Sequence, residues 1–356
     1  MSFSYHGNID FCIYGESHSD SIGIKCTGLP CGIPVDTVRL NAFLERRRPG
    51  KCFTSVRNES DLPIFLSGVT DGKTDGNIFQ AEIKNTDVRS SEYSSLIGKP
   101  RPGHADYPYF VKTGKLSLVG GGEFSGRMTA PVCVLGGILL DELSQRGIDI
   151  YSRIVALGNI RDDSPINAET LASVKNKAFP TVSDDAGKKM LDLIEKIKAD
   201  GDSIGSCIEC VVTGLPIGLG GAGFEGLDGK LAYAAFSVPA VKGIEFGNGF
   251  ECISLTGSEN NDLYEYRDGS VKMSSNRAGG VLGGMSCGEP IVFRVALKPT
   301  PTVSKPQNTV DMINKEQTVI SANGRHDTCV GVRAVPVIEA VTAITIADVL
   351  IGEGML

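Results

Sequence analysis

Four histidines occur in the 356-residue chain, and three of them sit in dense polar or glycine-bounded settings: GESHSD around His18, RPGHADY around His104 and NGRHDTC around His326. The fourth, His6, lies in an unremarkable N-terminal stretch. A lone histidine at a turn is most often a surface residue. Three such settings favour proton transfer, because imidazole titrates nearest neutrality.

Arginines and glycines add a second kind of chemistry. Arg39 and the run Arg46-Arg47-Arg48, followed by Pro49-Gly50, place several guanidiniums toward the end of a helical pattern. A charge run there is ordinarily a solvated face that suits the helix dipole. Guanidinium also grips phosphate and carboxylate through paired hydrogen bonds, so a multiply anionic small substrate accounts for the number. Val119 to Thr129 (VGGGEFSGRMT) enters an Ala/Leu/Gly-rich helical pattern. Glycines there let backbone N–H groups approach a phosphate, and a tight turn before a buried helix is an equal alternative. Ser275 to Ser286 resembles it, and Lys298-Pro299-Thr300-Pro301-Thr302 joins a cation to two hydroxyls. Together these suit something flat and phosphorylated.

These residues need a scaffold. Phe11 to Tyr14 reads as a strand running out into the turn that holds His18. The stretch Ser21 to Gly32 (SIGIKCTGLPCG) is echoed at 203–218 (SIGSCIECVVTGLPIG). Each copy is a strand pattern closed by Thr-Gly-Leu-Pro-x-Gly, then a helical pattern: Val38 to Arg47 in one case, Lys230 to Phe236 in the other. Two related β-α halves follow, packed as one pseudo-symmetric domain over 1–356. Asp184 to Ala199 reads as an amphipathic helix with Met190, Leu191, Ile194 and Ile197 inward. Gly218 to Gly223 matches G-x-G-x-x-G, but Pro216 breaks the strand-to-helix turn, so the stretch is read as a mobile loop rather than a dinucleotide fingerprint. Cys207 and Cys210 lie three apart in a strand pattern and face opposite ways, which argues against a zinc pair.

With 41% hydrophobic and 22% charged residues, the chain can bury a large core. Its formal net charge of −7 predicts no general affinity for nucleic acid or anionic membranes. The longest apolar run is read at Ala130 to Leu140, too short to span a bilayer, and no secretory signal opens the chain. A cytoplasmic protein with free thiols is expected.

GESH (15–18), RRRPG (46–50), RPGHADY (101–107), AVKGIEFGNGF (240–250), AGGVLGG (278–284), KPT (298–300) and GRHDTCVGVRAVPVIEA (324–340) resemble the chorismate synthase family in its order. That resemblance implies an α+β fold, a β-α-β sandwich with pseudo-symmetric halves, and a homotetramer. It also implies anti-1,4-elimination of phosphate from 5-enolpyruvylshikimate 3-phosphate with reduced FMN, which members of the family either reduce themselves with NADPH or borrow in reduced form, with NADPH as an indirect reductant. It casts His18 as the acid beside the leaving phosphate, His104 near the flavin, and Asp348 as the carboxylate assisting proton removal. Arg39, Arg47, Arg48, Arg127 and Arg333 become anion-binding candidates. Ser125, the Pro239-Ala240 turn, Gly283, Lys298, Pro299, Thr300, Pro301, Thr302 and Arg325 become flavin contacts. Ser19, Phe53 and Glu123 depart from the family's usual residues. A substrate-shifted or catalytically silent FMN- or phosphate-binding homologue is the alternative. Retention of His18, His104, Asp348 and the arginine set argues against silence, since a binder needs no proton donors.

Overall fold

The structure, a computed structural model, describes residues 3–50, 54, 59–87, 95–118, 120–322 and 326–356. Arg325, Phe53 and Val119 lie outside the described residues.

Alternation of apolar and polar residues builds two five-stranded sheets. The first contains β1 (Phe3–Tyr5), β2 (Asp10–Gly15), β3 (Ser21–Thr27), β4 (Ile64–Ser67) and β7 (Phe79–Lys84), in the order β1-β2-β3-β7-β4. A small hairpin, β5 (Val69–Thr70) and β6 (Lys73–Thr74), interrupts it. The second sheet contains β8 (Asp149–Leu157), β9 (Ile160–Arg161), β10 (Ser206–Thr213), β11 (Val241–Phe246) and β16 (Ile291–Leu297), in the order β11-β16-β10-β8-β9. All their pairings are antiparallel. Hairpins β12 (Tyr264–Arg267)/β13 (Ser270–Met273), β14 (Val281–Leu282)/β15 (Met285–Ser286) and β17 (Gln307–Asp311)/β18 (Glu316–Ile320) decorate the second half.

Each sheet turns one apolar face inward: Phe11, Ile13, Ile22, Ile24, Phe79 and Ile83 from the first, Ile154, Ile208, Phe293 and Val295 from the second. Between them run α1 (Thr37–Arg47), α3 (Thr129–Gln145) and α8 (Gly331–Gly352), giving a β-α-β sandwich with one continuous core. Gly136 makes the central crossing possible, since a Cβ there would sit 2.6 Å from the Ala340 Cα on α8. The remaining helices are α2 (Asp106–Thr113), α4 (Ala168–Val174), α5 (Asp184–Ala199), α6 (Leu227–Ser237) and the single turn α7 (Gly257–Asn260). Helix α5 has the boundaries its pattern predicts, with Met190 and Ile194 buried.

The two copies of the sequence echo take equivalent places. β3 and β10 are the middle strands of their sheets. Gly28 (φ +85°) and Gly214 (φ +80°) end them identically: an added Cβ would lie 1.9 Å from the carbonyl oxygen of Asn8 in one case and of Gly147 in the other. Only glycine allows such an approach in the left-handed region.

Two sequence readings are corrected here. The longest apolar segment is α8, not Ala130 to Leu140; it is long and apolar enough to cross a membrane, but 94% of its most apolar window is buried between the sheets. Arg333, Pro336, Glu339 and Asp348 had disguised it. The Gly218 to Gly223 loop is pinned rather than mobile, through Gly218 N–H to Ser286 O (2.8 Å), Ser286 N–H to Leu219 O (2.9 Å) and Gly220 N–H to Glu353 (3.1 Å). Antiparallel neighbours on both sides of β10 exclude a parallel dinucleotide-binding unit.

Candidate active site

The chain leaves β2 at Gly15 (φ +87°) and turns sharply, bringing His18 to the surface of the sandwich half-buried. Ser17 Oγ lies 3.0 Å from His18 Nδ1. Ser19 Oγ closes the turn by accepting from Glu16 N–H (2.9 Å) and donating to Ser21 O (2.6 Å). Its φ is not positive, so a serine sits there without backbone strain. Gly120 packs on the imidazole so closely that a Cβ would meet His18 Cε1 at 2.4 Å.

Gly120 connects this turn to the second histidine. Its carbonyl accepts from Arg101 Nη1 at 2.7 Å, and Arg101 also binds Asp106 through Nε (2.7 Å) and Nη2 (2.8 Å). His104 Nδ1 lies 2.8 Å from Asp106 Oδ1. Burial works to raise the Asp106 pKa, but hydrogen bonds from Arg101 and His104 outweigh it and hold the carboxyl well below the usual range. His326 stands near the same groups, and burial together with the Arg101 charge lowers its pKa to about 4.

The loop after β16 reaches this cluster from the other side. Lys298 Nζ donates to Gly103 O (2.6 Å), Lys298 N–H donates to Ala240 O (2.9 Å), and Thr300 Oγ1 donates to Asp327 O (2.9 Å). The Ala240 turn is held at φ +76°. Asp327 Oδ2 pairs with Arg333 Nη1 at 2.7 Å in the first turn of α8, and Arg333 Nε donates to Arg47 O (2.9 Å) at the end of α1. One wall thus runs from His18 through Gly120, Arg101, His104, Lys298 and Asp327 to Arg333 and the end of α1.

The arginines diverge at that end. Arg46 forms a two-pronged pair with buried Glu339 (2.6 and 2.9 Å), which also accepts Ser152 N–H. Arg47 is buried and spent on Thr129, Asp61, Gly126 O and Arg127 O; burial lowers its pKa to about 10. Arg127 is likewise committed, to Asn85, Asp61 and Lys84 O. Arg48 differs: one nitrogen meets Glu45, while Nε and Nη2 are buried without a hydrogen-bond partner among the described residues. A half-buried cation so under-used fits an anionic ligand.

Several expected site residues stand elsewhere. Arg39 belongs to the first turn of α1, about 13 Å along the axis from Arg48, and reaches Asp141 instead (2.5 Å). Gly283 lies in the β14/β15 hairpin beside the Gly218 loop, near the start of β16. Lys298 follows the strand's end, roughly 20 Å away. Ser125, by contrast, adjoins the wall: a Cβ on Gly121, next to Gly120, would lie 2.9 Å from its Cα, and its Oγ accepts Arg127 N–H (3.2 Å), with Glu123 in the preceding turn.

Asp348 stands apart from this wall. Its Oδ1 accepts Ile9 N–H at 2.7 Å, and it bonds Tyr5, whose pKa is raised by burial and by this carboxylate. It therefore braces the β1–β2 turn, near the far end of α8, about 25 Å from the helix start. A cavity of about 250 Å³ opens at that end, lined by Phe3, Tyr5, Phe11, Tyr233, Phe236 and neighbours, with no cationic side chain to receive an anion. The carboxylate that the structure brings to the wall is Asp327, which the sequence reading did not single out. Its signal was present: it directly follows one of the three marked histidines.

Two proton carriers beside an under-used guanidinium and a lysine–threonine loop suit an enzyme acting on a phosphorylated anion. The chorismate synthase family model matches residues 9–351. Chorismate synthases of Methanosarcina mazei and Lancefieldella parvula are 42% and 39% identical to the chain, covering 96% and 98% of it and 94% and 96% of their own lengths. A crystal structure of chorismate synthase superposes with a TM-score of 0.77 at 28% identity, covering 97% of this chain and 92% of that one. The chain belongs to the chorismate synthase family. It is a carbon–oxygen lyase, releasing phosphate from 5-enolpyruvylshikimate 3-phosphate to form chorismate.

Proposed function

We propose that the wall from His18 to Arg48 is where this elimination takes place, with reduced FMN as the cofactor. The observation that carries the reading is Arg48, whose two buried nitrogens, without a partner among the described residues, suit a substrate anion. Arg333 stands behind it. His18, braced by Ser17 and Gly120, holds the proton for the departing phosphate. His104 is the second proton carrier, and Asp327 is the carboxylate on the same wall.

The residues present fit the flavin. Lys298 has its pKa lowered by burial and by neighbouring Lys242, so two ammonium groups crowd each other where a phosphate would relieve them. Lys298 to Thr302 and the Pro239-Ala240 turn would hold its phosphate end. Bound in reduced form, FMN supplies the electron-rich ring that a phosphate loss without net redox change requires. Copies of the chain associate as a homotetramer, a reading supported by exposed Tyr233, Phe236, Phe250 and Ile253 on one half. Nine described cysteines are all free thiols, which agrees with a cytoplasmic setting.

Turnover of 5-enolpyruvylshikimate 3-phosphate with pre-reduced FMN tests the assignment. Arg48→Met is expected to raise KM by roughly 10- to 100-fold, the range for a charged hydrogen bond or two, with the fold intact. Unchanged KM, or full turnover without flavin, would contradict it.

A further inference from the structure

The fork between Arg101 and Asp106 fixes more than the loop that contains it. Arg101 is 4% exposed, and its Nη2 has two hydrogens. One goes to Asp106 Oδ1 (2.8 Å) and the other to Leu118 O (3.2 Å), leaving none for His104 Nδ1, although that nitrogen lies only 3.2 Å away. Guanidinium cannot accept. Nδ1 must therefore carry its own hydrogen and give it to Asp106 Oδ1, the shorter contact at 2.8 Å. That leaves Nε2 as the ring's basic atom.

We infer that Asp106 is a positioning residue for the reaction: it locks neutral His104 as the Nδ1–H tautomer, so that Nε2 is the atom that exchanges protons. The inference rests on His104 being a proton carrier of the site. The arrangement resembles the carboxylate that orients the histidine of a serine hydrolase, where loss of the carboxylate's charge leaves the ring in the wrong tautomer. Arg101 adds a feature of this fold. By also holding Gly120 O, it ties the His104 loop to the glycine that packs on His18, so both histidines are registered by one guanidinium.

A rival role for Asp106 is purely structural, because it opens α2 and accepts Arg101 N–H (2.9 Å). Ring ¹⁵N NMR of His104 in the full chain separates the two, since a structural role does not select a tautomer. The wild type is expected to show Nδ1–H. Asp106→Ala, and more mildly Asp106→Asn, should shift the ring toward Nε2–H. The groups facing the ring are Asp106, Arg101 and His326, with Lys298 on the adjoining Gly103 carbonyl. Turnover of Asp106→Asn should fall about 10- to 100-fold with KM little changed, and should fall no further when His104→Ala is already present. An unchanged tautomer in Asp106→Asn, or an equal extra loss in the His104→Ala background, would overturn the inference. Full activity of His104→Ala alone would instead remove the reading on which it rests.

Discussion

A carboxylate of low exposure lies at or just before each end of α8, and the two are used in opposite ways. At the C-terminal end Asp348 is satisfied by a backbone N–H and a tyrosine hydroxyl, beside an apolar cavity. At the N-terminal end Asp327 meets a guanidinium, among two histidines and a lysine-bearing loop. Burial alone does not distinguish them. What distinguishes them is whether the neighbours are fixed acceptors and donors of the fold or groups that can take up a proton or an anion. The three arginines at the end of α1 repeat the lesson, since Arg46 and Arg47 hold the sandwich together while Arg48 keeps donors in reserve.

The comparison can be broken most forcefully at the histidines. His18→Ala and His104→Ala should each lower turnover about 10²- to 10⁴-fold. His6→Ala should leave it unchanged, because His6 is an exposed partner of Asp10 in the β1–β2 turn, at the Asp348 end. Comparable losses at His6 and His18, measured with pre-reduced FMN, would show that the two ends are not functionally distinct.

A smaller effect sharpens the electrostatic side. The folded chain protonates His326 only near pH 4, whereas an unfolded chain does so near 6.5. The stability that depends on neutral His326 is thus complete above pH 6.5 and is lost as pH falls toward 4. The loss is roughly 3 kcal/mol over that window. Denaturant unfolding across this range should show a shallower pH dependence in His326→Asn, and an unchanged slope would place the sensitivity elsewhere.

The smallest effect concerns Ser19. With no positive φ and a hydroxyl that accepts one hydrogen bond and donates its single hydrogen inside its own turn, Ser19→Gly should alter turnover less than about threefold and cost under about 1 kcal/mol. A loss like that of His18→Ala would make Ser19 part of the chemistry.

Local chemistry made much of this legible in the sequence. The α5 boundaries followed from periodicity, and the echo's Gly-Leu-Pro turns marked where each middle strand must end, because only glycine tolerates the carbonyl packed against it. The histidine settings identified the loops that meet at the site. Long-range geometry was not legible. Arg39 and Arg48 share a helix, but which end faces the wall depends on α8 meeting the end of α1 through Arg333. Helix α8 itself escaped notice because its charged residues are buried with partners that only the fold supplies, Glu339 with Arg46 and Asp348 with Ile9. The placing of Asp348 and Asp327 was hidden for the same reason: 21 positions apart in one motif-rich region, they are separated by nearly the whole length of a helix.

The most direct test of the claim that the chemistry belongs to the N-terminal end of α8 is a paired one. Asp327→Asn and Asp348→Ala are assayed for turnover with pre-reduced FMN and for unfolding free energy. Asp327→Asn should lose roughly 100-fold or more in kcat at near-native stability. Asp348→Ala should keep kcat within a few fold and lose about 1–3 kcal/mol, the cost of leaving Ile9 N–H and the Tyr5 hydroxyl without their acceptor. The reverse pattern, an active Asp327→Asn and a stable but inactive Asp348→Ala, would contradict the account.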